Sequence, residues 1–250
     1  AVVGASGSGK SSLLFAGVVP QLRQQEHWLI AEFRPRGDPF RELATALTLL
    51  LYPTLDELGR LEKRKQLADK LSERGLSLAD VVDLLIRNRP GKRLLLIADQ
   101  FEELYTQNLD PKRQRQFVDE LVAAVGAQAK KPAFTLLLAL RVDFLGQALD
   151  YEPFAEWIKP NHLLLGPMGQ AGLETAIESP AQQLGVKLEE GLAERILQDL
   201  GQEPGVLPLL EFALTQLWER QQHRRLTHAA YEAIGGVTQA LACHADEVLA

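Results

Sequence analysis

Hydrophobic and polar positions alternate along the first two thirds of the chain in two interleaved rhythms. Ala1-Val2-Val3 reads as the end of a buried strand, and Ser12-Leu13-Leu14-Phe15-Ala16 begins an apolar helix expected over about residues 11 to 17. Trp28-Leu29-Ile30-Ala31-Glu32-Phe33 is a second strand, closed by the turn formers Arg34-Pro35-Arg36-Gly37-Asp38-Pro39. Phe40, Leu43, Leu47, Leu50 and Leu51 keep the spacing of one helix face until Tyr52-Pro53 stops it. Glu62-Lys63-Arg64-Lys65 leads a further helix with Leu67 and Leu71 inward, and Leu78, Val81, Val82, Leu85 and Ile86 mark the next. Asn88-Arg89-Pro90-Gly91 then turns the chain into Leu94-Leu95-Leu96-Ile97-Ala98, an unbroken apolar run typical of a central parallel strand. Asp110-Pro111 opens a long amphipathic helix carrying Phe117, Leu121, Ala124, Val125 and Gln128, closed by Lys130-Lys131-Pro132. Residues 134 to 140 and 162 to 165 complete a set of five strands. Strands alternating with helices in this way predict a doubly wound parallel α/β sheet with right-handed crossovers.

From Pro167 the pattern predicts helices only, over 171 to 184, 188 to 200 and 207 to 221, separated by Gly185, Gly201 and Gly205. Residues 227 to 250 show helical spacing at Ala230, Ile234, Leu241, Ala245 and Val248 around Gly235-Gly236, as the start of a third domain.

Chemistry enters at Gly4-Ala5-Ser6-Gly7-Ser8-Gly9-Lys10-Ser11, which fits the phosphate-binding loop G-x-x-x-x-G-K-[ST] at every fixed position. Backbone N–H groups must wrap closely around phosphate oxygens, so the loop calls for small residues at Gly4, Gly7 and Gly9. Lys10 supplies a point charge for the β/γ-phosphates, Ser11 a hydroxyl for Mg²⁺, and the following helix aims its positive end at the anion. Gly4, Ser6, Gly7, Ser8, Gly9, Lys10, Ser11 and Ser12 are therefore the candidate phosphate contacts. The strand before the loop and the helix after it are the context the motif requires.

Asp99 stands at the carboxyl end of the apolar strand 94 to 98, where ligands sit in open α/β sheets, and has the setting of a Walker B acid holding Mg²⁺ through water. The next position, where many ATPases place a glutamate, is Gln100, which leaves Glu102 and Glu103 as candidate general bases; either can equally cap a helix toward solvent. Arg141 ends the strand Leu136-Leu137-Leu138-Ala139-Leu140 and is placed to reach a γ-phosphate, or else to pair structurally with Asp143 or Glu102. Gly205-Val206-Leu207-Pro208 reads as a helix start with proline in the first turn. The five histidines and the one cysteine show no spacing that assembles a metal site.

Composition narrows the partners. A net charge of −6, from 27 basic and 33 acidic residues, lacks the broad positive field of non-specific nucleic-acid binders. The single cysteine, Cys243, excludes an intramolecular disulfide and suits a reducing cytoplasm. No apolar run approaches the roughly eighteen residues of a membrane-spanning helix. No initiator methionine stands at the start, and the chain stops within the periodic Asp246-Glu247-Val248-Leu249-Ala250. The expectation is a fragment with sequence on both sides.

Taken together, Gly-Ala-Ser-Gly-Ser-Gly-Lys-Ser-Ser-Leu (4 to 13), Ile-Ala-Asp-Gln-Phe-Glu-Glu-Leu (97 to 104), Leu-Arg-Val-Asp-Phe-Leu (140 to 145) and Leu-Pro-Leu-Leu-Glu-Phe-Ala-Leu-Thr-Gln-Leu-Trp-Glu (207 to 219) resemble the novel STAND NTPase family. Tyr231-Glu232-Ala233-Ile234-Gly235-Gly236-Val237 with Ala242-Cys243-His244-Ala245 is similar to the start of its winged helix. STAND proteins are signal-transduction ATPases, often fused in bacteria to WD-repeat propellers. The resemblance implies that Lys10 and Ser11 bind phosphate and Mg²⁺, that Asp99 is the Walker B acid, that Arg141 senses the γ-phosphate and that Pro208 lies against adenine. The family's proline motif is usually Gly-x-Pro, whereas here Val206 and Leu207 separate Gly205 from Pro208.

The expected organisation is a P-loop core over residues 1 to 166, a helical subdomain over 167 to 225 and a truncated winged helix over 226 to 250. The expected function is an adenine-nucleotide switch using ATP/ADP and Mg²⁺, with slow hydrolysis, nucleotide-dependent self-association, and fused sensor repeats or an effector outside the fragment. Two rivals share the motifs: a DNA-acting initiator-like ATPase, disfavoured by the acidic balance, and a scaffold whose nucleotide is only structural.

Overall fold

The computed structural model describes residues 1–107, 109–127, 133–201 and 205–249. Contacts divide the chain into two units, Ala1–Gly4 with Lys10–Leu165, and Ala5–Gly9 with Gly166–Ala250.

The first unit is built on a parallel sheet of β1 (Val2–Gly4), β2 (Trp28–Phe33), β3 (Arg93–Ala98), β4 (Phe134–Arg141) and β5 (Leu163–Leu165), in the order β2-β3-β4-β1-β5. Such a sheet is covered on both faces, which is why β3 is apolar at every position from Leu94 to Ala98. Successive strand residues point to opposite faces, and β3 divides accordingly. Leu94, Leu96 and Ala98 join one core with Phe40, Leu43, Leu78 and Phe117, whereas Leu95 and Ile97 join another with Val2, Leu14 and Val19. The first core is anchored by Phe117, whose ring meets Phe40 edge-on at 5.2 Å and Phe33 at 6.1 Å.

The helices of this unit are started by side chains that satisfy their free N–H groups. Asp38 accepts from the Arg41 N–H ahead of Pro39–Leu51, and Ser77 and Asp80 form a reciprocal capping box ahead of Leu78–Arg87. Asp56 caps a helix that begins at Glu57, ahead of the charged run at Glu62 where the pattern predicted it. The helix after the phosphate loop also runs on beyond its predicted end near Gly17. It opens as one α-turn (Lys10–Ser12), widens to a π-helix (Leu13–Val18) and returns to α over Val19–Arg23. Pro20 explains the detour. It has no N–H for the carbonyl four residues back, and the chain absorbs this by shifting register, with the Val19 N–H bonding Leu14 O. The long helix is Pro111–Ala127. Gln128 and the predicted stop Lys130-Lys131-Pro132 lie outside the described residues.

In the second unit the helices Gln170–Gln183, Leu192–Leu200, Leu207–Glu219, His228–Ala233 and Gly236–Leu249 share a core of Leu173, Ile177, Ile196, Leu210, Leu217 and Tyr231. The expectation of helices alone is corrected here. Lys187–Leu188 (β6) and Arg225–Leu226 (β7) form a short parallel pair, with Leu188 opposite Leu226. Leu188 is thus in a strand, and the helix predicted from it begins at Leu192, after Gly191 turns the backbone at φ +77°. Tyr231 is fully buried in this core. Its hydroxyl donates to Asp199 Oδ2 at 2.8 Å and accepts the Val237 N–H at 3.2 Å. Among the described residues no helix is long and apolar enough to cross a membrane.

Burial, and then the hydrogen bond to Asp199, push the Tyr231 hydroxyl up to about 12. An unfolded tyrosine titrates near ~10, so the native state holds the proton more tightly, and this contribution to stability is intact below about pH 10 and lost as pH rises through about 12. Tyr231→Phe removes the titration and strands the buried Val237 N–H. In urea unfolding the variant is expected to lose about 1 to 3 kcal/mol at neutral pH and to show a shallower decline above pH ~10. An identical alkaline decline in both proteins would assign the titration to another group.

Candidate functional site

Parallel pairing brings the carboxyl ends of β1 to β4 to one edge of the sheet. There β4 lies between β1 and β3, in a register that sets Gly4 opposite Arg141. On the other side of β3, Phe33 stands opposite Ala98, so Arg34 leaves β2 beside Asp99. Topology alone therefore gathers Lys10, Ser11, Arg34, Asp99 and Arg141 from four separate stretches of sequence.

Between Gly4 and Lys10 the chain makes a tight turn, with the Ser8 N–H donating to Ala5 O at 3.2 Å. Gly7 and Gly9 hold φ of +69° and +84°, a backbone region that disfavours any side chain. By contacts the loop residues 5–9 group with the second unit. A Cβ added at Gly7 would stand 3.1 Å from Pro208 Cδ, and one at Gly9 would stand 3.5 Å from Leu207 Cδ1. Pro208 itself occupies the first turn of Leu207–Glu219 and is exposed, as are Ser6 and Ser12. Gly205 takes φ +87° with its own Cβ position 3.5 Å from Ser6 O, so it belongs to the same turn despite the longer spacing to the proline. The Ser8 hydroxyl is buried without a hydrogen-bond partner.

Lys10 is buried, and its Nζ donates to Gly4 O at 2.9 Å. Burial lowers its pKa, and Arg141 adds to that; Glu102 foremost, then Asp99 and Asp143, act in the opposite direction. Ser11 Oγ donates to Asp99 Oδ1 at 2.8 Å, and Arg34 Nη2 donates to Asp99 Oδ2 at 3.0 Å. The Asp99 backbone is itself fixed to the neighbouring strand through its N–H to Phe33 O, 3.0 Å.

After Asp99 the chain folds back sharply. Gln100 adopts φ +50°, and the Glu103 N–H returns to its carbonyl at 2.9 Å. The two glutamates part company at this point. Glu102 Oε2 accepts the Arg141 N–H at 3.2 Å, whereas Glu103 Oε2 lies 3.4 Å from Arg36 Nε. The guanidinium of Arg141 is half-exposed, donates to Asp143 Oδ2 at 2.6 Å and lies over the Phe144 ring, with its Nε buried and without a partner. Both structural contacts open to Arg141 from sequence are thus present, Asp143 through the side chain and Glu102 through the backbone.

The donor set suits an Mg²⁺-nucleotide. Gly7 and Gly9 take the left-handed backbone of an anion-binding turn, Lys10 is a buried ammonium, and the Ser11 hydroxyl donates a hydrogen bond to the Asp99 carboxylate while keeping its own lone pairs for a hard cation. Arg34 was missed by sequence reasoning, which read it as one of six turn formers. The signal was available, because Arg34 follows its strand as closely as Asp99 follows β3, but which strands are neighbours is not written in either segment.

No curated protein matches the chain. Among solved structures, the ORC2 protein of Aeropyrum pernix in its ADP form aligns with TM-score 0.60 at 17% identity, over 96% of this chain and 61% of that one. The ORC1 protein of the same organism, in complex with DNA, aligns with TM-score 0.56 at 17% identity, over 97% and 58%. A Walker-type ATPase of Pyrococcus abyssi aligns with TM-score 0.54 at 15% identity, over 99% and 69%. These likenesses establish the P-loop ATPase fold, and the chain spans about three fifths of the length of the two ORC proteins. The model of the family described as Novel STAND NTPase 1 matches residues 1–250. With the phosphate loop, the Ser11–Asp99 pair and the sheet order already in place, the chain belongs to the Novel STAND NTPase 1 family.

Proposed function

We propose that this protein is a nucleotide-controlled signalling switch that binds ATP and ADP with Mg²⁺, hydrolyses ATP slowly and couples the bound nucleotide to self-association. The observation that carries the reading is the convergence, at one sheet edge, of a buried lysine, a serine–aspartate pair and a strand-end arginine on β4 between them. Lys10 and the loop from Gly4 to Ser12 hold the phosphates, Ser11 and Asp99 hold the metal, and bound Mg²⁺ would supply neutralisation of phosphate charge. Arg141 answers to the γ-phosphate. It stands opposite Gly4, whose carbonyl accepts from the Lys10 ammonium, and its tie to Asp143 is exposed enough to be exchanged for a phosphate oxygen. Glu102, held at the strand edge by the Arg141 N–H, takes the role of general base. Glu103 supports the Arg36 loop. In this reading residues 1 to 166 form the nucleotide-binding core, 167 to 225 the helical subdomain, with Pro208 against adenine, and 226 to 250 the start of a winged helix. Fused sensor repeats and a cytoplasmic setting complete the picture. The acidic net charge of −6 favours a signalling role over one on DNA.

Lys10→Ala is expected to abolish ATP and ADP binding in titration calorimetry while leaving the circular dichroism spectrum unchanged. Affinity at the wild-type level would remove the phosphate-loop assignment.

Arg141→Ala separates a switch from a scaffold, since an arginine that reaches only the γ-phosphate is nearly indifferent to ADP. Loss of a charge-assisted hydrogen bond is expected to weaken ATP-Mg²⁺ binding by about 1.5 to 3 kcal/mol, roughly ten- to hundredfold, with ADP-Mg²⁺ little changed. Paired titrations decide it, and an equal loss for both nucleotides assigns Arg141 to structure.

Glu102→Gln is expected to slow single-turnover hydrolysis by about a hundredfold or more, with nucleotide affinity kept, and Glu103→Gln to stay within a few fold of wild type. The reverse order would move the base to Glu103.

A further inference from the structure

The Asp99 carboxylate is almost sealed from solvent, its side chain 3% exposed, and each oxygen has its own partner. Oδ1 accepts a hydrogen bond from the Ser11 hydroxyl, a contact compatible with a metal at Ser11, because a donating hydroxyl keeps its lone pairs free. Oδ2 is held by Arg34, which is 38% exposed and reaches in with one terminal nitrogen at 3.0 Å. A carboxylate buried this deeply needs a cation, since desolvation of an unpaired charge outweighs what neutral hydrogen bonds return. In the metal-free protein Arg34 is that cation. A divalent ion at the Ser11–Asp99 corner would face the guanidinium across the same carboxylate, and like charges at such a distance repel. The contact is single-toothed and its donor is open to water, so it can be given up at small cost, unlike a bidentate buried pair.

We propose that Arg34 is a positioning residue that acts as the resident counter-ion of Asp99 and competes with Mg²⁺ for it, so that the metal concentration at which the site fills is set by the release of Arg34. The inference rests on the nucleotide reading above and adds to it a residue and a form of regulation. Arg34 holds the Asp99 carboxylate in place without metal, and it raises the Mg²⁺ threshold for tight nucleotide binding. The same turn carries Arg36 against Glu103, so movement of the residues 34 to 36 would reach both Asp99 and Glu103.

The test compares the wild type, Arg34→Gln and Arg34→Lys. ADP is first titrated with Mg²⁺ present, and the Mg²⁺ concentration that half-saturates the gain in ADP affinity is then measured for each protein. Arg34→Gln keeps a donor and loses the charge, and is expected to lower that concentration roughly five- to tenfold; Arg34→Lys is expected to remain near wild type. In chelator the melting temperature of Arg34→Gln should fall below wild type, and in an Asp99→Asn background the same substitution should have no effect. ADP bound by all three proteins with an unchanged or raised Mg²⁺ requirement in Arg34→Gln overturns the counter-ion role alone. Failure of every protein to bind ADP overturns the nucleotide reading and this inference with it.

Discussion

A carboxylate placed at the tip of a strand buried on both faces cannot stand alone, and much of the first unit follows from how Asp99 is paired. The strand is apolar from Leu94 to Ala98, as lying between two helical layers requires, yet the residue that follows it is charged. Ser11 and Arg34 resolve the conflict from opposite sides. For Ser11 to be in reach, the helix after β1 must start where it does, and the loop before it must turn within a few residues, with glycine at the two left-handed positions. For Arg34 to be in reach, β2 must be the neighbour of β3 and end level with it. Lys10 repeats the theme with the opposite sign. It is a buried ammonium tied to the Gly4 carbonyl, its pKa lowered by burial and by Arg141 and raised by Glu102, Asp99 and Asp143.

Strand order converts these pairings into a site. With β4 between β1 and β3, the residue ending β4 stands opposite Gly4 at the end of β1, on the strand beside the one that leads to the buried acid, and that residue is Arg141. The backbone N–H of Arg141 holds Glu102, and its guanidinium is held by Asp143, so one residue joins the strand edge, a candidate base and an exchangeable ion pair. The left-handed Gln100 supplies the reversal that separates Glu102 from Glu103 and sends them to different partners.

The second unit depends on a different device. Its helices converge on Tyr231, whose ring fills the core while its hydroxyl satisfies two polar groups from other segments. The short β6–β7 pair ties the turn after the first helix of this unit to the turn before His228–Ala233. That pairing moves the following helix start to Leu192.

What the residues settled alone was local: the phosphate loop, the five apolar strands, the periodic faces and the strand-end positions of Asp99 and Arg141. These are readable because each rests on contiguous spacing, a glycine pattern or a helix face repeating every few residues. Leu188 was misread because two residues of strand carry no period, and the end of the helix after the loop because the π-helical stretch Leu13–Val18 carries the chain past Gly17 into Val19–Arg23. The roles of Glu102 and Glu103 could not be separated in sequence, since both are adjacent acids on one turn. Only the pairing order of β1 to β4 put Arg34 on Asp99, Arg141 opposite Gly4 and Glu102 against Arg141. Electrostatic partnership is a matter of distance in space, and distance between segments tens of residues apart is decided by which strands pair, not by anything written within either segment.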